Sequence, residues 1–169
     1  MTLSATEQYI LELINRARLD PLAEAARYGL SSLNEGLAPG TLSSKSLQAL
    51  APDTDLTEAA RGHSTWMLAV DVFSHTGING TTPRQRMEAA GYKLDSPWIT
   101  GENLALIGGS PARDLAAAAE IHSRGLFLSA EHRVNILNGA FREIGIGQVA
   151  GNYNGMTASA LTENFARSG

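Results

Sequence analysis

Residues 142–165 read REIGIGQVAGNYNGMTASALTENF, and this segment carries the clearest strand pattern of the chain. Ile144 and Ile146 alternate with glycines, so the two isoleucines lie on one face of a predicted strand over 142–149. A second alternating run covers 156–165, and the GNYNG segment between the two runs is typical of a hairpin turn. We therefore expect two adjacent antiparallel strands joined at 151–155.

The part of the chain before this hairpin is mainly helical, and most helices carry a start signal. Ser4 and Glu7 form a capping-box pattern, and Asp55 and Glu58 give a second capping signature. Thr82-Pro83 and Ser110-Pro111 combine an N-cap residue with proline at the first helical position. The expected elements are a helix after Ser4, helices over 22–28, 56–73, 83–90 and 112–128, a strand over 98–106, and a short helix after Ser129, with 30–50 as a surface loop. These elements describe one α+β domain across residues 1–169.

Composition excludes several classes of protein. The chain has 169 residues, 43% of them hydrophobic and 18% charged, with a formal net charge of −4 and scattered lysines and arginines. A nucleic-acid partner is not expected, since such proteins usually show a basic face. The absence of cysteine excludes disulfides, thiolate zinc sites and cysteine nucleophiles. No apolar run approaches the roughly 20 residues that a transmembrane helix needs.

The four histidines, His63, His75, His122 and His132, are the first candidates for a functional site. His63 lies on the apolar face of its predicted helix, which is typical of a core histidine. His75 stands in FSHTGING, between an apolar run and a glycine-rich loop. That position suits a site residue, and it equally suits a histidine that caps the end of a helix.

Glu102 is the most unusual acidic residue, because it stands in TGENL within a segment otherwise expected in the core. A carboxylate in such a place is costly unless it is paired or solvated in a cleft. One interpretation is a site residue, and the other is a structural acceptor for backbone amides, helped by Asn103. Motifs for zinc proteases, serine hydrolases, phosphate loops and dinucleotide binding are absent.

Six segments in a fixed order resemble a known family. They are FSHTG, GTTPRQRMEAAGY, GENLALI, SAEHRVNIL, FREIGIGQ and LTENFA. Together they are similar to the bacterial branch of the CAP superfamily, the sperm-coating, antigen 5 and pathogenesis-related-1 proteins (the SCP domain). The resemblance spans roughly residues 6–166 and implies a three-layer α-β-α sandwich with a central antiparallel sheet.

The resemblance also implies a shallow cleft in which two histidines and two acidic residues converge. Three of these four residues have a match in this chain, namely His75 of FSH, Glu102 of GEN and His132 of EHR. Phe73 is expected to hold the base of the His75 side chain. The second acidic position departs from the family, because it falls at or near Ser129. His122, seven residues before Ser129 and on about the same helix face, and Glu131 are the alternatives for this position.

Two kinds of function follow from this resemblance. The first is a secreted binding or interaction module for a small apolar or peptide ligand or a cell-envelope component. Its cleft would hold a divalent metal ion, with zinc as the first choice, on His75, His132 and Glu102. Alternatively, a hydrogen-bond network alone would join these three side chains. The second is a protease-like hydrolase, with Glu102 orienting a histidine as general base and a serine as nucleophile. Secretion is expected from the resemblance alone, since MTLSATEQ lacks the pattern of a signal peptide.

Overall fold

The architecture was obtained as a computed structural model that describes residues 2–169. Six α-helices and four strands follow one another in these residues, with single-turn 3-10 helices at Ile78–Gly80 and Ser110–Arg113. In chain order the elements are α1 (Ala5–Leu19), α2 (Pro21–Arg27), β1 (Ala51–Pro52), α3 (Thr54–Ala69), α4 (Pro83–Ala89), β2 (Ile99–Gly108), α5 (Leu115–Leu128), α6 (Ala130–Ile136), β3 (Glu143–Tyr153) and β4 (Met156–Arg167).

The C-terminal hairpin has the predicted strands and pairing. β3 and β4 are antiparallel, and the last pair is Tyr153 with Met156. The two residues between them, Asn154 and Gly155, both have positive φ, of 48° and 78°. This is the conformation of a two-residue turn that matches the twist of the flanking strands. The expected antiparallel hairpin is therefore confirmed.

The sheet has the order β1-β3-β4-β2, so β2 lies at one edge and pairs antiparallel with β4. At the other edge, the two residues of β1 pair parallel with β3. The three long strands form the antiparallel sheet that the resemblance implied, and the short parallel strand β1 makes the whole sheet mixed. A strand of two residues is too short to show alternating apolar and polar side chains. The sequence pattern of residues 30–50 and beyond therefore did not predict β1.

Helices cover both faces of the sheet and form the outer layers of the sandwich. Ile144 and Ile146 point to one face, where they pack in a core with α1, α5 and α6. Gly145 and Gly147 point to the opposite face, where a Cβ atom would stand only 2.0 Å and 2.2 Å from backbone atoms of α3. The alternation of isoleucine and glycine therefore separates a side-chain core from a direct helix-to-strand contact.

The helix starts are partly as predicted. Ser4 and Thr82 both form complete capping boxes, at α1 and α4. The cap of α3 is Asp53 rather than Asp55, because the Asp53 carboxylate accepts the backbone N–H groups of residues 55 and 56. Asp114 caps α5 in the same way, and residues 110–113 form a separate 3-10 turn. No helix within residues 2–169 has the length and apolar character that crossing a membrane requires.

Candidate functional site

Glu102 lies on the edge strand β2, and its carboxylate connects two helical segments. The side chain is only 2% exposed. Its Oε1 atom is 2.7 Å from Nδ1 of His75, and its Oε2 atom accepts a hydrogen bond of 2.7 Å from Nη2 of Arg86. The cost of a buried carboxylate is thus offset by a cation and an imidazole. The expectation that Glu102 needs a partner is met by two of them.

Arg86 extends from α4 and was not identified from the sequence. Besides Glu102, its guanidinium donates from Nη1 to the backbone carbonyls of His75 and Thr81, at 3.0 and 2.9 Å. Arg86 therefore fixes both ends of the 75–81 loop. No local pattern marks this role, although a carboxylate in a core-bound strand implies that some cation must reach it.

His75 is the exposed member of the site, with 55% of its side chain accessible to solvent. Its Nδ1 faces Glu102, and Nε2 has no hydrogen-bond partner among residues 2–169. Phe73, which the family resemblance placed at the base of His75, follows α3 in irregular chain and is 47% exposed. Arg86 donates to the carbonyl of His75 and so holds the loop.

His132 reaches the site from α6. Its Nδ1 lies 2.7 Å from Oγ of Ser129, and its Nε2 has no protein partner in the described part of the chain. Burial lowers the pKa of His132, and the nearby His75 lowers it further. No hydrogen bond joins His132 to His75 in the described residues.

The two histidines lie on segments that contact the edge strand β2 from opposite faces of the sheet. Glu102 pairs with Asn164, whose side chain donates to a carbonyl of α3, so it shares that face with α3 and α4. Asn103, the next residue, points to the other face and donates to the carbonyl of His132 at 3.3 Å. The 75–81 loop and α6 thus flank β2 from opposite faces, at the edge where strand pairing ends.

A small amide network supports this arrangement from below. Asn135 donates to the carbonyl of Glu102 at 3.3 Å and to Oδ1 of Asn103 at 2.9 Å. Asn103 in turn donates to the buried carboxylate of Glu163 at 3.0 Å. Gly101 allows the close approach of α6, since a Cβ there would lie 3.0 Å from Oδ1 of Asn135. The network locks α6, and with it His132, against β2.

Ser129 lies at or near the position at which the family resemblance implied a second acidic residue. Its hydroxyl contacts His132 rather than capping α6, where it makes no side-chain cap bond. His122 lines the same pocket as Ser129 and His132, but its ring is buried, 1% exposed, and its Nε2 contacts Oγ of Ser159 at 3.1 Å. Glu131 is exposed, and it influences the site only through its charge near His132.

A three-ligand metal site on His75, His132 and Glu102 does not fit the geometry. No three histidine, cysteine or acidic side chains within residues 2–169 are grouped so that one ion could touch all of them. Both oxygens of Glu102 are engaged, one of them by a guanidinium. The structure instead leaves the Nε2 atoms of His75 and His132 without a hydrogen-bond partner in the described residues.

His63 is a buried residue next to the site. Its imidazole is 2% exposed, and Nε2 contacts the carbonyl of Ser74 at 2.9 Å. The expectation of a core histidine is thus correct. Its pKa is lowered by burial first and by the Arg86 charge second, which shows that it lies close to the Arg86–Glu102 pair.

Comparison with known proteins agrees with this fold. The chain superposes on an extracellular SCP-domain protein of Bacillus anthracis with a TM-score of 0.61 at 22% identity, covering 99% of this chain and 45% of that one. The chain therefore spans less than half the length of that protein. An outer surface protein of Borrelia burgdorferi matches over 100% of both chains, with a TM-score of 0.58 and 15% identity. NaASP2, solved with Zn²⁺, matches with a TM-score of 0.55 at 17% identity, covering 95% of this chain and 80% of that one.

At these identities the structural matches establish the fold alone. A search of curated protein sequences finds no significant match. The sequence model of the CAP family, described as the cysteine-rich secretory protein family, matches residues 11–162. That range covers most of the chain and contains His75, Arg86, Glu102, Ser129 and His132. Although it has no cysteine, the chain belongs to the CAP family.

Proposed function

We propose that this CAP domain is an extracellular binding module whose cleft over β2 holds a divalent metal ion, with zinc as the first candidate. The observation that carries the proposal is the shared arrangement of the two histidines. His75 and His132 each have Nδ1 engaged, by Glu102 and Ser129, and each has Nε2 without a protein partner in residues 2–169. A histidine that binds a metal commonly donates its other ring N–H to a carboxylate or another acceptor.

Glu102 has a supporting role in this proposal. Its carboxylate fixes the ring orientation and tautomer of His75, and the Arg86 guanidinium holds the carboxylate in turn. A zinc ion held by two imidazoles keeps further positions for solvent or for an oxygen or nitrogen atom of a bound ligand. A peptide or cell-envelope component with such a donor group is the class of ligand that this open site favours.

Three fold relatives support the choice of zinc and the extracellular location that we propose. NaASP2 is a fold relative whose structure contains Zn²⁺, which makes zinc the natural ion to test first. The fold relatives from Bacillus anthracis and Borrelia burgdorferi are an extracellular and an outer surface protein. Secretion of the present chain is part of the proposal on that basis.

A hydrolase is the alternative function, and one contact favours it. The hydroxyl of Ser129 lies 2.7 Å from His132, as a nucleophile and its base would. A triad, however, needs its carboxylate on the same imidazole as the serine. In this site the carboxylate of Glu102 orients His75 instead, so the parts of a triad are divided between two histidines. The binding module is therefore the better supported function.

Calorimetric titration of tag-free protein with zinc chloride tests the proposal. At about pH 7.5 we expect one ion per chain, with binding at least roughly tenfold weaker in His75→Ala and in His132→Ala. Binding should also weaken at about pH 5.5, because protons compete with the metal ion for the imidazole nitrogens as the pH falls.

His122→Gln is the comparison variant, since His122 lines the same pocket as Ser129 and His132 but is buried, with its Nε2 bonded to Ser159. It should bind zinc as the parent does. Equal binding by the parent and both cleft variants would overturn the metal site. Hydrolysis of a peptide library that is abolished by Ser129→Ala would favour the hydrolase instead.

A further inference from the structure

The strand β2 has a regular outer edge, on the side opposite its pairing with β4. That pairing runs without interruption along the whole of β2. Directly beyond it and in the same register, the amide of Gly109 donates to the carbonyl of Thr157 at 2.9 Å. Hydrogen-bonded pairs alternate along an antiparallel ladder, so the odd-numbered residues of β2 direct their backbone N–H and C=O groups toward β4. The even-numbered residues direct theirs outward.

One outward carbonyl has a partner, and the next three even-numbered residues have none. The carbonyl of Glu102 accepts from Asn135 of α6. The backbone N–H and C=O groups of Leu104, Leu106 and Gly108 have no hydrogen-bond partner within residues 2–169. Natural edge strands commonly carry a charge, a proline or a bulge that prevents pairing with another chain. The segment LALIG, residues 104–108, has no charge and no proline, and its register is free of bulges.

A groove with a volume of about 280 Å³ follows this edge, and we call it the β2–α5 groove. Its lining includes the four consecutive strand residues 104–107, together with Ile121 and Gly125 of α5. Successive side chains of a strand point to opposite faces of the sheet. A groove that touches four successive residues therefore lies along the edge of the strand rather than over one face.

Gly125 keeps the wall of the groove low. Glycine is unfavourable inside a helix, so its presence in the last turns of α5 calls for a reason. Packing within the protein does not supply one, because a Cβ at this position would meet nothing within 4 Å. Ile121, one turn earlier, is 44% exposed. The helix therefore offers the groove an apolar side chain and an open space next to it.

An unpaired strand edge beside a helix is suited to one kind of ligand, an extended peptide that adds a strand to the sheet. We propose that an extended segment of a partner protein binds in the β2–α5 groove as a fifth strand. Its backbone pairs with Leu104, Leu106 and Gly108, and apolar side chains at alternate positions pack against Ile121 and over Gly125.

The groove is continuous with the candidate site, because Ser129 and His132 line it as well. A segment bound along β2 thus extends toward these two side chains. The inference rests on the proposed binding function, whose ligand it narrows to a peptide, and it does not depend on the metal ion.

The probe is a peptide selected from a displayed library of random sequences against the tag-free chain in EDTA. The peptide is then synthesised and titrated onto ¹⁵N-labelled protein. We expect saturable NMR shifts and slowed hydrogen exchange at the amides of Leu104, Leu106 and Gly108. The amides of Ala105 and Ile107 should exchange slowly even without peptide, since they already pair with β4. This alternation is the signature of an added strand.

Gly125→Leu is the blocking variant, because its side chain would fill the open space of the groove. Gly62→Leu on α3, where a Cβ also meets nothing within 4 Å, is the matched control outside the groove. We expect the peptide to lose at least roughly tenfold in affinity with the first variant and nothing with the second.

Gly108→Pro tests the backbone pairing itself. Proline removes the outward N–H, and an edge strand tolerates it there because β4 does not use that donor. Gly108→Ala is the control that keeps the N–H, and its Cβ would stand no closer than 3.8 Å to other atoms. The proline variant should bind the peptide at least roughly fivefold more weakly than the alanine variant.

Three results would overturn the inference. They are a selection that yields no peptide, peptide binding without protection of the outward amides, and equal binding by Gly125→Leu and the parent. A dimer in sedimentation whose outward amides are protected before peptide is added would replace the peptide by a second copy of the chain. Peptide binding in EDTA by a chain that fails to bind zinc would support this inference while overturning the metal site.

Discussion

At the scale of the residue, Glu102 holds the site together through two contacts of equal length. Its buried carboxylate lies 2.7 Å from both His75 and Arg86, so one acidic side chain fixes a loop and a helix. The ion pair with Arg86 is mostly removed from solvent, with side-chain exposures of 2% and 10%. Breaking such a pair leaves a buried charge without compensation, which costs more than the pair itself contributes.

We therefore expect Glu102→Gln to lower the free energy of unfolding by about 3 kcal/mol, because Arg86 would face a neutral amide. Glu88→Gln is the matched control, since Glu88 pairs with Arg84 at the surface, with exposures of 41% and 47%. It should change the free energy by less than about 1 kcal/mol. Urea unfolding followed by circular dichroism measures both. Equal effects of the two variants would show that burial of the Glu102 pair is unimportant.

The sequence indicated that Glu102 needs a partner but did not indicate which one. Its placement in a core-bound strand makes a lone carboxylate too costly, and that argument holds for any fold. Arg86 lies 16 positions earlier, on a helix whose direction only the tertiary structure determines. His75 and His132 were identified from family resemblance, whereas Asn135 was missed, since an asparagine in a short helix is ordinary in any sequence.

At the scale of the element, the packing of α3 on β3 depends on two glycines. A Cβ at Gly147 would stand 2.2 Å from the backbone N of Arg61, and one at Gly145 would stand 2.0 Å from the carbonyl carbon of Leu56. Backbone atoms of a helix cannot move aside as a flexible side chain does. The helix would have to leave the sheet, together with the loop that follows it and carries His75.

We expect Gly147→Ala to destabilise the protein by more than about 3 kcal/mol, beyond the usual range for an overpacked core, because the obstacle is backbone. Gly125→Ala on α5 is the control, since a Cβ there meets nothing within 4 Å. Alanine should stabilise that helix by about 0.5–1 kcal/mol. Thermal unfolding of both variants gives the comparison. A Gly147→Ala protein as stable as the parent would contradict the direct contact of α3 with β3.

Element patterns explain why the hairpin was predictable and β1 was not. Alternation over ten or more residues determines both the strand and the face of each side chain, as β3 and β4 show. The glycines of β3 were placed on one face by the same pattern, but nothing local indicated that a helix backbone would contact them. β1 consists of two residues, and its parallel pairing arises from the tertiary course of the 30–50 loop.

At the scale of the whole molecule, two buried titratable groups act on stability in opposite directions. Burial raises the pKa of Glu163 to about 7, from an ordinary value of 4.5. Its stabilising neutral form is fully present below pH 4.5, and this contribution is lost as the pH rises toward 7. Burial lowers the pKa of His122 to about 4, from 6.5. The contribution of His122 is present above pH 6.5 and is lost as the pH falls toward 4.

Between pH 4.5 and 6.5 the two groups therefore change the free energy of unfolding in opposite directions as the pH rises. Single variants should separate the two effects. In Glu163→Gln the acid can no longer ionise, so its stability relative to the parent should rise from about pH 5 to about pH 7 and stay level above that. His122→Gln should show the reverse trend, gaining stability relative to the parent as the pH falls from 6.5 toward 4.

Urea unfolding at intervals across this pH range measures both differences from the parent. Any fixed effect of the substitution cancels, because only the change of each difference with pH is compared. A difference from the parent that does not change with pH would mean that the buried carboxyl of Glu163, or the buried ring of His122, titrates alike in the folded and unfolded chain.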